Sequence, residues 1–199
     1  WADLNTETEP LPAGGPMHSG DTEGEMTMTK IINALTAPVW RTITLGTHKT
    51  GQEYRSAFGS QVDGLGIETL RGREFHTTNG VPVKLSLAKV SMEEIGCTKE
   101  HLDNMADGYA LAIQGGFGIC PPEAAPVLCL PQGKKYQAAE DNWVMMHHPI
   151  ATEPDNLVSR DWGPLHVFTT LNWKGTCFLS ARPWRSGLKK TDKLVVVCR

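Results

Sequence analysis

With 199 residues, 40% hydrophobic and 21% charged, the chain has the composition of a globular protein with enough apolar material for one core. No run approaches the roughly 18–20 apolar residues that cross a bilayer, and the first thirty residues lack a basic-then-apolar leader pattern. The expectation is therefore a cytoplasmic protein with no membrane partner. The net charge of −3 is unevenly spread: residues 1–30 carry six acids against Lys30, while residues 160–199 carry eight bases against Asp161 and Asp192.

Residues 1–29 are rich in Glu, Asp, Thr, Pro and Gly and nearly lack aliphatic side chains. Such a stretch buries too little apolar surface to offset its ordering entropy, so it reads as an acidic flexible arm or linker. Residues 30–199 read as a single compact domain.

The first structural signal is Arg41–Thr47, a β-branched alternating run that ends in glycine. Residues 49–58 follow as a helix, with Thr50 as N-cap, Glu53 three residues on, and Tyr54 and Phe58 on one face. The stretch from Gly59 to Gly80 reads as glycine-rich loop and turn with a short element around Ile67–Leu70. Val81–Val90 has strand character and runs into a helical turn capped by Ser91 and closed by Gly96. Thr98 to Ile113 has the spacing of a continuous helix ended by Gly115-Gly116. A segment with three prolines, Pro121, Pro122 and Pro126, follows. Val127–Leu130 and Asn142–His147 then read as a strand pair, and Val167–Thr170, Thr176–Ser180 and Leu194–Cys198 as three more strands. The expected fold class is α+β: a small mixed sheet with two or three helices in the front half and antiparallel strands in the back half.

Five cysteines, an odd and widely spaced set with no CxxC pair, argue against a disulfide framework and for free thiols in a reducing compartment. Cys120 has no identifiable partner histidine, and it reads as a packed thiol beside Pro121. Glu123 reads as a residue that opens a helical turn after the prolines.

Three stretches together resemble an uncharacterised family of small bacterial and mobile-element proteins. They are Arg41–Thr47 with Tyr54–Ala57, the strand and turn Val83–Ile95, and Gly118–Leu128 with its Cys-Pro-Pro-Glu core. The strand-like runs Trp143–Met146 and Leu194–Val197 extend the likeness, which covers residues 40–199. The region after the first helix departs from the pattern, with Gly64-Leu65-Gly66-Ile67 in place of a tryptophan-containing cluster. The resemblance implies a compact accessory protein and carries no catalytic residue, cofactor or activity with it.

Three constellations bear on chemistry. His147, His148 and His166 with Asp161 offer imidazole and carboxylate ligands for a divalent metal, but no HExxH spacing accompanies them, and neighbouring histidines on a strand face opposite ways. The glycine-rich stretches match neither a P-loop nor a dinucleotide fingerprint, so no cofactor is expected. The third is a basic, aromatic C-terminal face of Arg160, Trp162, Lys174, Arg182, Trp184, Arg185, Lys189 and Lys190, with cations for phosphates and rings for bases. Taken together, the favoured reading is a non-enzymatic binding or structural accessory protein acting through a protein partner or self-assembly. The alternative is a nucleic-acid-binding accessory protein of a mobile element using the C-terminal face. A metal-dependent hydrolase is the third reading.

Overall fold

The computed structural model describes residues 31–130, 142–152, 163–173 and 176–198. The acidic arm therefore lies outside the described residues, as do residues 131–141 between the two runs expected to pair as strands.

The elements run β1 (Arg41–Leu45), α1 (Gly51–Phe58), α2 (Gly64–Arg71), β2 (Val83–Ser91), α3 (Lys99–Leu102), α4 (Met105–Gln114), α5 (Ala124–Cys129), β3 (Trp143–Met145), β4 (Ile150–Ala151), β5 (Leu165–Trp173), β6 (Thr176–Pro183) and β7 (Lys193–Val197). The fold is α+β, built on a seven-stranded mixed sheet. The chain's last strand sits in the middle of the sheet. β7 pairs antiparallel with β2 and parallel with β3, and β3 passes the ladder on to β5. β6 pairs with β5 along its whole length, which leaves β3 and β4 together on β5's other side.

The side-chain alternation of each strand feeds two cores. Leu87, Trp143, Met145, Val195 and Phe168 point to one face, where α1, α2 and α5 pack. Ala88, Val144, Met146, Val196 and Val167 point to the other, which α4 and the segment around Ala34 cover. Strands buried on both faces read as continuous apolar runs rather than alternating ones, which explains Trp143–Met146 and Leu194–Val197. Each fully buried aliphatic side chain contributes about 1.5–3 kcal/mol, and the central strands carry most of them.

Local chemistry sets the helix starts. The Thr50 hydroxyl accepts the Glu53 N–H at 3.1 Å, and the Glu53 carboxylate reaches back to the Lys49 N–H at 2.8 Å. Tyr54 and Phe58 are both buried, as one helical face requires.

Four expectations need correction. Val127–Leu130 is not a strand: residues 124–129 form α5, which is buried on every side and so shows no amphipathic period. Pro126 is tolerated because it falls in the first turn, where its missing N–H has no helical partner in any case. β3 accordingly pairs with β7 and β5 instead. The helix expected over 98–113 is two helices, because Asn104 breaks it and caps α4 through the Ala106 N–H at 3.0 Å. Gly64–Gly66 is not a turn but the start of α2, where Asp63 accepts the Gly66 N–H at 2.8 Å. A β-carbon on Gly66 would sit 2.8 Å from the Leu179 carbonyl oxygen, so the helix can lie against β6 only with glycine there.

Candidate functional site

The sheet has two long edges, and they are treated differently. The outer edge of β6 is occupied: Leu179 donates its N–H to the Gln61 carbonyl at 3.0 Å, and Asp63 donates to the Leu179 carbonyl at 3.1 Å. Asp63 also accepts the Ser180 hydroxyl at 2.5 Å. At β1 the arrangement differs: just past its end the Gly46 N–H is taken by the Glu123 carboxylate at 2.8 Å, while the outward groups within the strand have no backbone partner among the described residues. The Ser86 carbonyl accepts from Cys198 on the β7 side at 2.9 Å, so Ser86 faces away from β1. Its opposite residue, Thr42, therefore points its own N–H and C=O outward, and so does Thr44 two residues on. No backbone group among the described residues pairs with them.

Beside this edge runs a cleft of about 270 Å³ between β1 and α5, with Trp40, Arg41, Thr42 and Ile43 on one wall and Val127, Leu128 and Leu130 on the other. Two cations lie over the Trp40 ring, with the Arg41 guanidinium 4.5 Å and the Lys89 ammonium 5.0 Å from its centre. At the far end of β2, Val81 and Val83 are exposed at 60% and 40%. An edge strand normally carries a proline, a bulge or inward charge to prevent pairing, and Arg41-Thr42-Ile43-Thr44-Leu45 has a single cation at one end.

A second built cluster surrounds Glu123, whose carboxylate is fully buried. One oxygen accepts the Gly46 N–H at 2.8 Å and the Tyr54 hydroxyl at 2.7 Å, and the other accepts the Thr78 N–H at 2.7 Å. Glu123 does open the helical turn after the prolines, as the N-cap residue of α5, but its side chain makes no bond to that helix and takes these long-range bonds instead. Burial pushes the Tyr54 hydroxyl well above its ordinary pKa, so it stays a donor. With these bonds directed at the protein itself, Glu123 ties the end of β1, helix α1 and the loop before β2 together.

The histidines are spread over separate tasks. Phe168 N–H can only donate and the His148 carbonyl can only accept. His147 therefore accepts at Nε2 (2.8 Å) and donates from Nδ1 (2.6 Å), which fixes one neutral tautomer with no lone pair left for a metal. Desolvation lowers its pKa to about 4. His148 is exposed. His166 uses Nδ1 on the Pro164 carbonyl at 3.1 Å, and its buried Nε2 has no hydrogen-bond partner among the described residues. Asp161 lies outside the described residues. Among the described residues no three His, Cys, Asp or Glu side chains gather as a metal site.

The basic face is likewise divided. Arg160, Trp162 and Lys174 lie outside the described residues. Arg182 is held by Asp192 at 2.5 Å, and Trp184 stands edge-on to Tyr109 at 5.1 Å between centroids. Arg185, Lys189 and Lys190 are exposed.

Cys120 is buried, hydrogen-bonds the Val195 carbonyl at 3.4 Å, and has its pKa raised by burial. Sequence reasoning missed both the open edge and the long-range role of Glu123. The alternation in Arg41–Leu45 signalled a strand, but a strand's place in the sheet order leaves no local trace.

No family model matches the chain, and no curated protein or solved structure is significantly similar to it. Among the described residues no helix is long and apolar enough to cross a membrane.

Proposed function

We propose that the chain is a non-enzymatic structural or binding protein that acts by self-association, pairing β1 with β1 of a second copy. The observation that supports this reading is the outward direction of the Thr42 and Thr44 backbone groups, which no backbone group among the described residues pairs with. An antiparallel edge is self-complementary about a two-fold axis. With the axis at Ile43, Thr42 falls opposite Thr44 of the second copy, so the outward N–H and C=O groups of both meet. Arg41 then falls opposite Leu45, which keeps the two guanidinium groups at opposite ends of the joint. Threonines beside threonines are favourable cross-strand neighbours on the exposed face.

Analytical ultracentrifugation over a concentration series tests this. The native chain should sediment as a concentration-dependent dimer. Thr44→Pro, which deletes an outward N–H, and the double variant Thr42→Lys/Thr44→Lys should sediment as monomers with unchanged circular dichroism. A native chain that stays monomeric at every concentration removes the reading.

A further inference from the structure

We propose that Cys129 and Cys177 form a reactive dithiol that small hydroperoxides convert into a disulfide. The two sulfurs lie 3.9 Å apart although 48 positions separate them in sequence. Cys129 is the last residue of α5 and Cys177 the second of β6, so each sits near an element end. Reaching the roughly 2.05 Å of an S–S bond requires a closure of about 2 Å, within the reach of side-chain rotation and a small shift at those ends.

The two thiols differ in the ways that a reacting and a resolving cysteine must differ. Cys177 is partly exposed and Cys129 is buried, so a reagent from solvent meets Cys177 first. The hydrogen bond with Cys129 holds the Cys177 thiol below its ordinary pKa, and the Arg41 guanidinium adds to the effect. Burial pushes Cys129 up, and it likewise pushes Cys97, Cys120 and Cys198 up. Low pKa, access and a resolving thiol at contact distance therefore coincide at one place among the described residues.

The chemistry balances. The Cys177 thiolate attacks the terminal peroxide oxygen, the O–O bond breaks, and the leaving alkoxide takes up the proton that the thiol released. Cys177 is then a sulfenic acid. The Cys129 sulfur attacks the Cys177 sulfur, the S–O bond breaks, and the Cys129 proton leaves with the hydroxyl as water. Two thiols have lost two electrons and two protons, and the hydroperoxide has become an alcohol and water. The new bond ties α5 to β6 and fixes the α5 wall of the cleft beside β1. This inference is independent of the self-association reading, because it needs no second copy.

The test is to treat the reduced native chain with hydrogen peroxide, alkylate with iodoacetamide, and measure intact mass and linked peptides. The expected result is the loss of two hydrogen atoms, two fewer alkylated cysteines, a Cys129–Cys177 linked peptide, and full reversal by dithiothreitol. Cys129→Ser should stop at a sulfenic acid on Cys177 that dimedone captures, and Cys177→Ser should form no disulfide. A native chain that yields no such linked peptide, or that links other cysteines instead, overturns the proposal. So does a Cys177→Ser variant that consumes peroxide at the native rate. The native-chain mapping decides the matter even where a serine variant fails to fold.

Discussion

The Glu123 carboxylate receives the Tyr54 hydroxyl at 2.7 Å across 69 positions of sequence. The same oxygen holds the Gly46 N–H, and its twin holds Thr78, so one side chain joins the end of β1, the inner face of α1 and the loop before β2. Glu123→Gln keeps the shape and one acceptor but turns an amide NH₂ toward a backbone N–H. It should cost about 2–3 kcal/mol, and Tyr54→Phe about 1–2 kcal/mol, both read from denaturant midpoints. A neutral result for Glu123→Gln would show that water replaces these bonds.

His147 makes stability depend on pH. Its folded pKa of about 4 lies below the unfolded value near 6.5, so the unfolded chain takes up the proton first. The contribution is fully present above about pH 6.5 and is lost as pH falls toward about 4, amounting to roughly 3 kcal/mol. His166, also lowered by burial, acts in the same direction. Chemical denaturation at a series of pH values between these limits should show stability falling with pH, and the slope should flatten in His147→Gln.

Close approach of backbones fixes the seam between α1 and α2. A β-carbon on Gly51 would sit 2.0 Å from the Leu70 carbonyl oxygen, a contact that no rotamer relieves. Gly51→Ala should destabilise by about 1–3 kcal/mol despite alanine's better helix propensity. An unchanged melting temperature would mean that the two helices slide apart without cost.

Nucleic-acid binding makes the opposite demand on the C-terminal face. Arg182 is neutralised by Asp192 and Trp184 leans on Tyr109, so neither presents a free group to a phosphate or a base. Titration with fluorescent single- and double-stranded oligonucleotides across a salt series should show no tight binding. Tight binding that weakens steeply with salt, and falls in Arg185→Ala/Lys189→Ala/Lys190→Ala, would favour that reading over self-association.

Oxidation of the thiol pair should also be visible in stability. A bond between residues 48 positions apart removes loop-closure entropy from the unfolded chain, worth about 4 kcal/mol in the chain-entropy description. The oxidised chain should melt higher than the reduced chain, and Cys129→Ser should abolish the difference.

The sequence by itself determined the features that depend on neighbours a few residues apart. Thr50 and Glu53 marked the start of α1, the β-branched run 41–45 marked β1, and the apolar runs at 143–146 and 194–197 marked strands. Their chemistry is local: caps, periodicity and side-chain stiffness. The tertiary structure alone decided that residues 124–129 are a helix, since a segment buried on all sides has no period to read. It also decided that β7 lies between β2 and β3, that Glu123 meets Tyr54, and that Cys129 meets Cys177. Those contacts join residues far apart in the chain, and only the packing of both sheet faces brings them together. The open edge at β1 belongs with them, because a strand becomes an edge only through the order in which the others pair.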